Sequence, residues 1–281
     1  MKVLAVDLDG TLFYPRGKKR CISKKNVKFL QDFIDAGKKV VLCTSRSSQF
    51  VEEKLKKEIE RPFDYMVCNT SQIFTADGKI IRDIPANNQD MMEVFDFLEE
   101  QEKPIAYLMT TDKYPCLIKQ NSEVGKFVTI LYKLWWRVQF CYRESFVMDN
   151  EIFDEALKSG NIYKVMVFYG LGKNKKVLSK ELNKILREKH PNIESSWSLI
   201  VNELTPKDCN KGEGLDYYCH YFNIDPNDVY VIGDSGNDIT MFHKFYEHSF
   251  VMSHAYPSVK KYAKTQVSKV FKLRKYVLEG E

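Results

Sequence analysis

Four short apolar runs, each cut off abruptly by polar or charged residues, limit what this chain can become. Lys2-Val3-Leu4-Ala5-Val6 gives way to Asp7-Leu8-Asp9-Gly10-Thr11, and Lys39-Val40-Val41-Leu42-Cys43 gives way to Thr44-Ser45-Arg46. Tyr65-Met66-Val67-Cys68 ends in Asn69-Thr70-Ser71, and Val229-Tyr230-Val231-Ile232 ends in Gly233-Asp234-Ser235-Gly236-Asn237-Asp238. Hydrophobes without alternation suit a strand covered on both faces, the condition of a parallel sheet flanked by helices. Between the first two runs Val27, Leu30, Phe33 and Ile34 recur at helical spacing, opened by Ser23 as an N-cap and stopped by Gly37. Strand, helix and strand in this order make a crossover unit that is right-handed in nearly all cases. Thr44 is therefore expected beside Asp7, at the carboxyl edge where open α/β sheets put their chemistry.

The alternation continues and then changes character. Phe50, Val51, Leu55 and Ile59 predict a second helix stopped by Pro62, and Ala76-Asp77-Gly78 predicts a hairpin turn between residues 72–75 and 79–82. From Ile84 to Ser198 no strand ends in an acidic signal. Here residues 88–101 and 176–189 read as amphipathic helices, and residues 105–109, 116–119 and 165–169 as strands. That pattern suggests an antiparallel α+β module inserted into the first domain. The chain has 281 residues, enough for two domains, expected at 1–83 with 199–281 and at 84–198. Leu134-Trp135-Trp136-Arg137 could stack on a sugar face but is read as core of the inserted module, and the basic cluster Arg16, Lys18, Lys19, Arg20 as an exposed flap.

Composition excludes several classes. Forty-three Lys and Arg against thirty-eight Asp and Glu give a net charge of +5, spread along the chain, which argues against a nucleic-acid partner. No stretch approaches about 18 uninterrupted apolar residues, and the N-terminus runs straight into a strand, so a cytoplasmic protein without membrane attachment is expected. Seven cysteines without a C-x-x-C pair suggest neither a disulfide framework nor a zinc site.

The first strand end carries the chemistry. Two carboxylates at i and i+2 beside a buried strand disfavour one another, and desolvation disfavours both, so a cation is expected between them. Mg²⁺ suits the site because it takes carboxylate and carbonyl oxygens and keeps waters that a phosphate can replace. Asp7 with Asp9, Thr44, Lys211, and Asp234 with Asn237 and Asp238 all fall where core elements begin or end.

In this conjunction the chain resembles the haloacid dehalogenase-like superfamily, in particular its Cof-type sugar-phosphatase-like group with a cap inserted between the second and third motifs. Asp7, Asp9 and Leu12 match D-x-D-G-T-L; Thr44 matches the second motif, with Ser45 where Gly is usual before Arg46; Lys211-Gly212 matches the third; and Gly233-Asp234 to Asn237-Asp238 matches G-D-x-x-N-D. Thr70 stands in a turn usually written N-G-A, and His254 replaces the Asn of the usual N-A. The resemblance implies a Rossmann-like, doubly wound α/β core with an α+β cap acting as a substrate lid. It also implies a Mg²⁺-dependent phosphatase that cleaves a small phosphorylated metabolite, such as a sugar phosphate, as a monomer or weak homo-oligomer. Asp7 would carry a transient aspartyl-phosphate, and Asp9 would serve as general acid and base. Asp7, the Asp9 carbonyl and Asp234 would hold the metal. Thr44, Ser45, Lys211 and Asn237 would bind phosphate or substrate, and Asp238 would orient Lys211 or a metal-bound water. A phosphomutase of similar fold and a non-catalytic phospho-ligand-binding protein are the alternatives.

Overall fold

A computed structural model describes residues 1–15, 21–139, 145–198 and 201–278, with side chains also left undescribed at 132–139 and 198. The basic cluster at 16–20 and the Trp135-Trp136 side chains lie outside the described residues. Contacts divide the chain into two units, Met1–Asp83 with Asn210–Glu281, and Ile84–Cys209.

The first unit begins with β1 (Val3–Asp7), β2 (Lys39–Cys43) and β3 (Asp64–Val67), paired parallel, followed by β4 (Gln72–Phe74) and β5 (Ile80–Asp83), which are antiparallel. Val3, Leu4, Ala5 and Val6 are all inaccessible to solvent, so both faces of β1 are covered, as its unbroken hydrophobicity requires. The helix Lys24–Asp35 forms where the spacing predicts it. The Ser23 side chain accepts from the Asn26 amide, and Val27, Phe29, Leu30 and Phe33 are buried.

The second unit carries β6 (Ala106–Thr111), β7 (Cys116–Gln120), β8 (Phe146–Met148), β9 (Ile162–Phe168), β10 (Ile193–Ser198) and β11 (Val201–Pro206). Their order is β10-β11-β9-β6-β7-β8, antiparallel except for the parallel pair β7–β8. The helices Asn88–Gln101, Asn150–Ser159 and Lys173–Lys189 pack on one face through Met91, Val94, Leu98, Phe153, Leu182 and Leu186. The boundary expected at 198/199 is corrected. β11 pairs with β9 and β10, and this hydrogen bonding places residues 201–206 in the second unit's sheet. The Val-Asn-Glu-Leu-Thr-Pro sequence of β11 lacks a clean apolar period, so nothing in it predicts a strand.

The chain re-enters the first unit at Asn210, whose side chain caps the helix Lys211–Phe222. It then adds β12 (Val229–Gly233), β13 (Ser249–Met252) and β14 (Thr265–Val267). The completed sheet runs β14-β13-β12-β1-β2-β3-β4-β5. The chain thus leaves β1 on one side and returns on the other, which makes the carboxyl end of β1 a topological switch point, where crevices open in such sheets.

Candidate active site

The site grows from three strand ends. Asp7 closes β1 and lies in register with Cys43, so Thr44 sits one residue beyond it on the neighbouring strand. Ile232 is in register with Val6, and Asp234 follows two residues later on the other flank. Lys211 comes from elsewhere, as the first residue of the helix Lys211–Phe222, and is wholly buried.

Lys211 organises the centre. Its Nζ donates to Asp7 Oδ1 and to Asp238 Oδ1, each at 2.6 Å. Asp238 is fully committed, because its Oδ2 also accepts the backbone amides of Asp234 and Ser235 at 2.9 Å. Asp234 Oδ1 accepts from the Thr11 hydroxyl at 3.1 Å, and Asp7 Oδ2 is buried with no hydrogen-bond partner. Ligand oxygens of Asp7, Asp234 and Asp238 lie within 4.8 Å of one another. Three carboxylates around one ammonium would, if all ionised, leave two uncompensated negative charges in a water-poor place. Burial, and then the carboxylates of Asp238 and Asp234, hold Asp7 well above the usual carboxylate range despite Lys211. Burial and the Asp238 carboxylate push Asp234 up to about 7. Burial alone would weaken the Lys211 ammonium, but Asp238 and Asp7 outweigh it and keep the charge on nitrogen.

These residues fit a hard divalent cation. The donors are oxygens, one of them an orphaned buried atom, and the fully ionised cluster's surplus is two negative charges. Gly10 is shaped around the same carboxylate: its φ of +83° suits glycine, and a Cβ there would run into the Asp234 side chain.

Asp9 stands apart from this cluster. Its carboxylate is 44% exposed and is gripped by Arg46, with Nε donating to Oδ2 and Nη2 to Oδ1, both at 2.7 Å. Any hold of Asp9 on a cation therefore rests with its backbone carbonyl. Thr44 is buried; its Oγ1 accepts the Arg46 amide at 3.1 Å, and Ser45 beside it is half-buried. Asn237 Oδ1 accepts from the Ser235 hydroxyl at 2.7 Å, and its Nδ2 donates to Asn69 Oδ1 at 3.4 Å. The sequence pattern gives Arg46 and Asn69 a place in strand-end motifs but no role. An arginine two residues after Thr44, just beyond a core strand end, is the available signal. The turn after β3 holds Cys68, Asn69 and Thr70 at φ of 51°, 52° and 78°. For the β-branched Thr70 this is a strained, glycine-like conformation, anchored by its hydroxyl on the Asn210 carbonyl at 2.9 Å. His254 Nε2 lies 3.9 Å from Asp234 Oδ2 with its ring against Tyr14, and burial lowers the imidazole pKa.

A doubly wound sheet with paired carboxylates, a buried lysine and a strand-end hydroxyl at its switch point defines an α/β phosphohydrolase class. The chain matches the family described as haloacid dehalogenase-like hydrolase over residues 4–271, and it belongs to that family, in its Cof-type group. It is 30% identical over 275 residues to MG125 of Mycoplasma genitalium, named as an inferred phosphatase, covering 95% of this chain and 90% of the relative. It is 25% identical to the 5-amino-6-(5-phospho-D-ribitylamino)uracil phosphatase YwtE of Bacillus subtilis, covering 86% and 84% of the two chains. In fold it is similar to the subclass IIB sugar phosphatase BT4131, with a TM-score of 0.74, 20% identity and 98% coverage of both chains. The protein is a phosphatase of this hydrolase family.

Proposed function

We propose that the protein is a Mg²⁺-dependent phosphatase that hydrolyses a small phosphorylated metabolite, a sugar or sugar-alcohol phosphate, through an aspartyl-phosphate on Asp7. The observation that carries this reading is the Asp7 carboxylate itself: one oxygen is pinned by Lys211 at 2.6 Å, and the other is buried beside Asp234 without a partner. The relatives' names support the substrate class, since one acts on a phosphoribityl compound and a fold neighbour on sugar phosphates.

Asp7 and Asp234, with the Asp9 carbonyl, would hold Mg²⁺, whose chemistry there is to neutralise charge on the phosphoryl oxygens. Asp7 attacks phosphorus, the ester P–O bond breaks, and the leaving oxygen takes a proton from Asp9. Asp9 then removes a proton from water as that water attacks phosphorus, and the Asp7–phosphorus bond breaks to release orthophosphate and restore the carboxylate. Thr44, Ser45 and Asn237 line the phosphate, and Lys211 supplies the fixed positive charge that a loose phosphoryl transition state requires. Asp238 keeps Lys211 aimed at Asp7. The residues of the second unit would act as the lid that excludes water and selects the substrate.

The reading extends to a cytoplasmic enzyme that works as a monomer or weak homo-oligomer. None of the six described cysteines is in a disulfide, and among the described residues no helix is long and apolar enough to cross a membrane. Phosphate release from a panel of pentose, hexose and sugar-alcohol phosphates, with Mg²⁺ and with chelator, tests the proposal. Release confined to the Mg²⁺ arm is expected; no release from any ester, or release unaffected by chelator, overturns it.

A further inference from the structure

Arg46 is 5% exposed, an unusual burial for an arginine, and one edge of its guanidinium, Nε with Nη2, is spent on a single carboxylate. The guanidinium carbon lies 4.3 Å from the centroid of Phe50 and 5.6 Å from that of Phe13, two buried rings 5.9 Å apart. Its backbone is tied as firmly, with its amide on Thr44 Oγ1 and its carbonyl accepting the Cys68 amide at 3.0 Å. The arginine is thus an immobile fork between the loops after β1, β2 and β3. Asp9, by contrast, has an exposed side chain on a turn whose Leu8, Thr11 and Leu12 are buried, and among the described side-chain contacts its carboxylate is held by this fork. A parallel two-bond pair sets the plane of a carboxylate as well as its place, which a point charge does not.

We propose that Arg46 is a positioning residue that acts on the reaction through Asp9 alone. It holds the carboxylate in the plane from which a proton can be exchanged with the ester oxygen, using the lone pairs that the fork leaves open. The inference rests on the proposed role of Asp9. It assigns the effect to the Nε–Nη2 edge on Asp9 and gives Arg46 no bond to phosphate.

The test compares the wild-type chain with Arg46→Gln, Arg46→Lys, Asp9→Asn and the Arg46→Gln/Asp9→Asn pair, each with Mg²⁺. Two esters serve as probes: p-nitrophenyl phosphate, whose leaving group needs no proton, and a hexose 6-phosphate, whose alkoxide does. The ratio kcat/KM reports steps up to formation of the aspartyl-phosphate. Arg46→Gln is expected to lower it about a hundredfold on the sugar ester, within the range that general acid catalysis supplies. The loss should lie in kcat, with KM within about twofold, and p-nitrophenyl phosphate should lose less than about threefold. Arg46→Lys should behave like Arg46→Gln, because an ammonium cannot form the fork. In the Asp9→Asn background, Arg46→Gln should add nothing. Melting curves check each variant, and Arg46→Lys, which keeps charge and stem, carries the test if Arg46→Gln fails to fold. Equal losses on both esters, a rise in KM, or a full additional loss in the Asp9→Asn background would each overturn the proposal. A wild-type chain inert on both esters would instead sink the underlying phosphatase mechanism and this inference with it.

Discussion

In the first unit the carboxylates at the end of β1 are met by cationic side chains: Lys211 lies between buried Asp7 and Asp238, and Arg46 grips the exposed Asp9. In the second unit the buried polar groups are met mostly by neutral hydrogen bonds. The Ser195 hydroxyl donates to Asn183 Oδ1, Asn202 Nδ2 to the Ser179 carbonyl, and the Thr110 hydroxyl to the Pro115 carbonyl. Neutral pairs leave no surplus charge, so they hold a sheet in register and do little more. A cluster that carries two uncompensated negative charges when fully ionised is costly to bury in that form, and a divalent cation would offset the cost. Among the described residues the acidic cluster of this kind lies in the first unit.

That contrast can be broken at its strongest point first. Asp7→Asn removes the proposed nucleophile and one of the repelling carboxylates, so turnover of p-nitrophenyl phosphate should fall by more than about a thousandfold. The melting temperature of the metal-free chain should not fall. Retained turnover would place the chemistry elsewhere.

Separate cores give the next largest effect. Phe153 in the second unit and Phe242 in the first are both inaccessible, and truncating either to Ala should cost about 3–5 kcal/mol. Phe242→Ala should also weaken Mg²⁺ binding measured by calorimetry, because its cluster packs behind β12, whereas Phe153→Ala should leave it unchanged. A metal-affinity loss in Phe153→Ala would erase the distinction between the units.

The surplus charge also has a pH signature. Asp234 is pushed from 3.8 to about 7, so between those values the unfolded chain has released a proton that the folded chain still holds. Raising the pH across that window favours unfolding, and Asp7 shifts in the same direction. At about 1.4 kcal/mol per unit, the metal-free protein should lose a few kcal/mol from pH 4 to pH 7. Saturating Mg²⁺ should flatten the curve; urea melts in both conditions measure it. The smallest contrast is in helix capping. Ser23→Ala in the first unit and Asp149→Ala in the second should each cost about 1 kcal/mol, without changing turnover.

Much of the first unit was legible because its strands are continuous hydrophobic runs that stop where the chain turns to chemistry. Asp7, Thr44 and Asp234 could be placed at strand ends from that rule. β11 escaped because a strand alternating Val, Asn, Glu, Leu and Thr carries no unbroken run, and its place beside β9 depends on residues more than thirty positions away.

The sequence alone determined the order of buried strands, the handed crossover between them, and which residue types would meet at their carboxyl ends, because burial pattern and chain chirality are local properties. Only the tertiary structure decided how those side chains share their charges. Lys211 reaches across 204 positions to Asp7 and 27 to Asp238, and Arg46 turns to Asp9 and away from solvent. Such pairings follow from distances of a few ångströms between distant parts of the chain, and no spacing along the sequence encodes them.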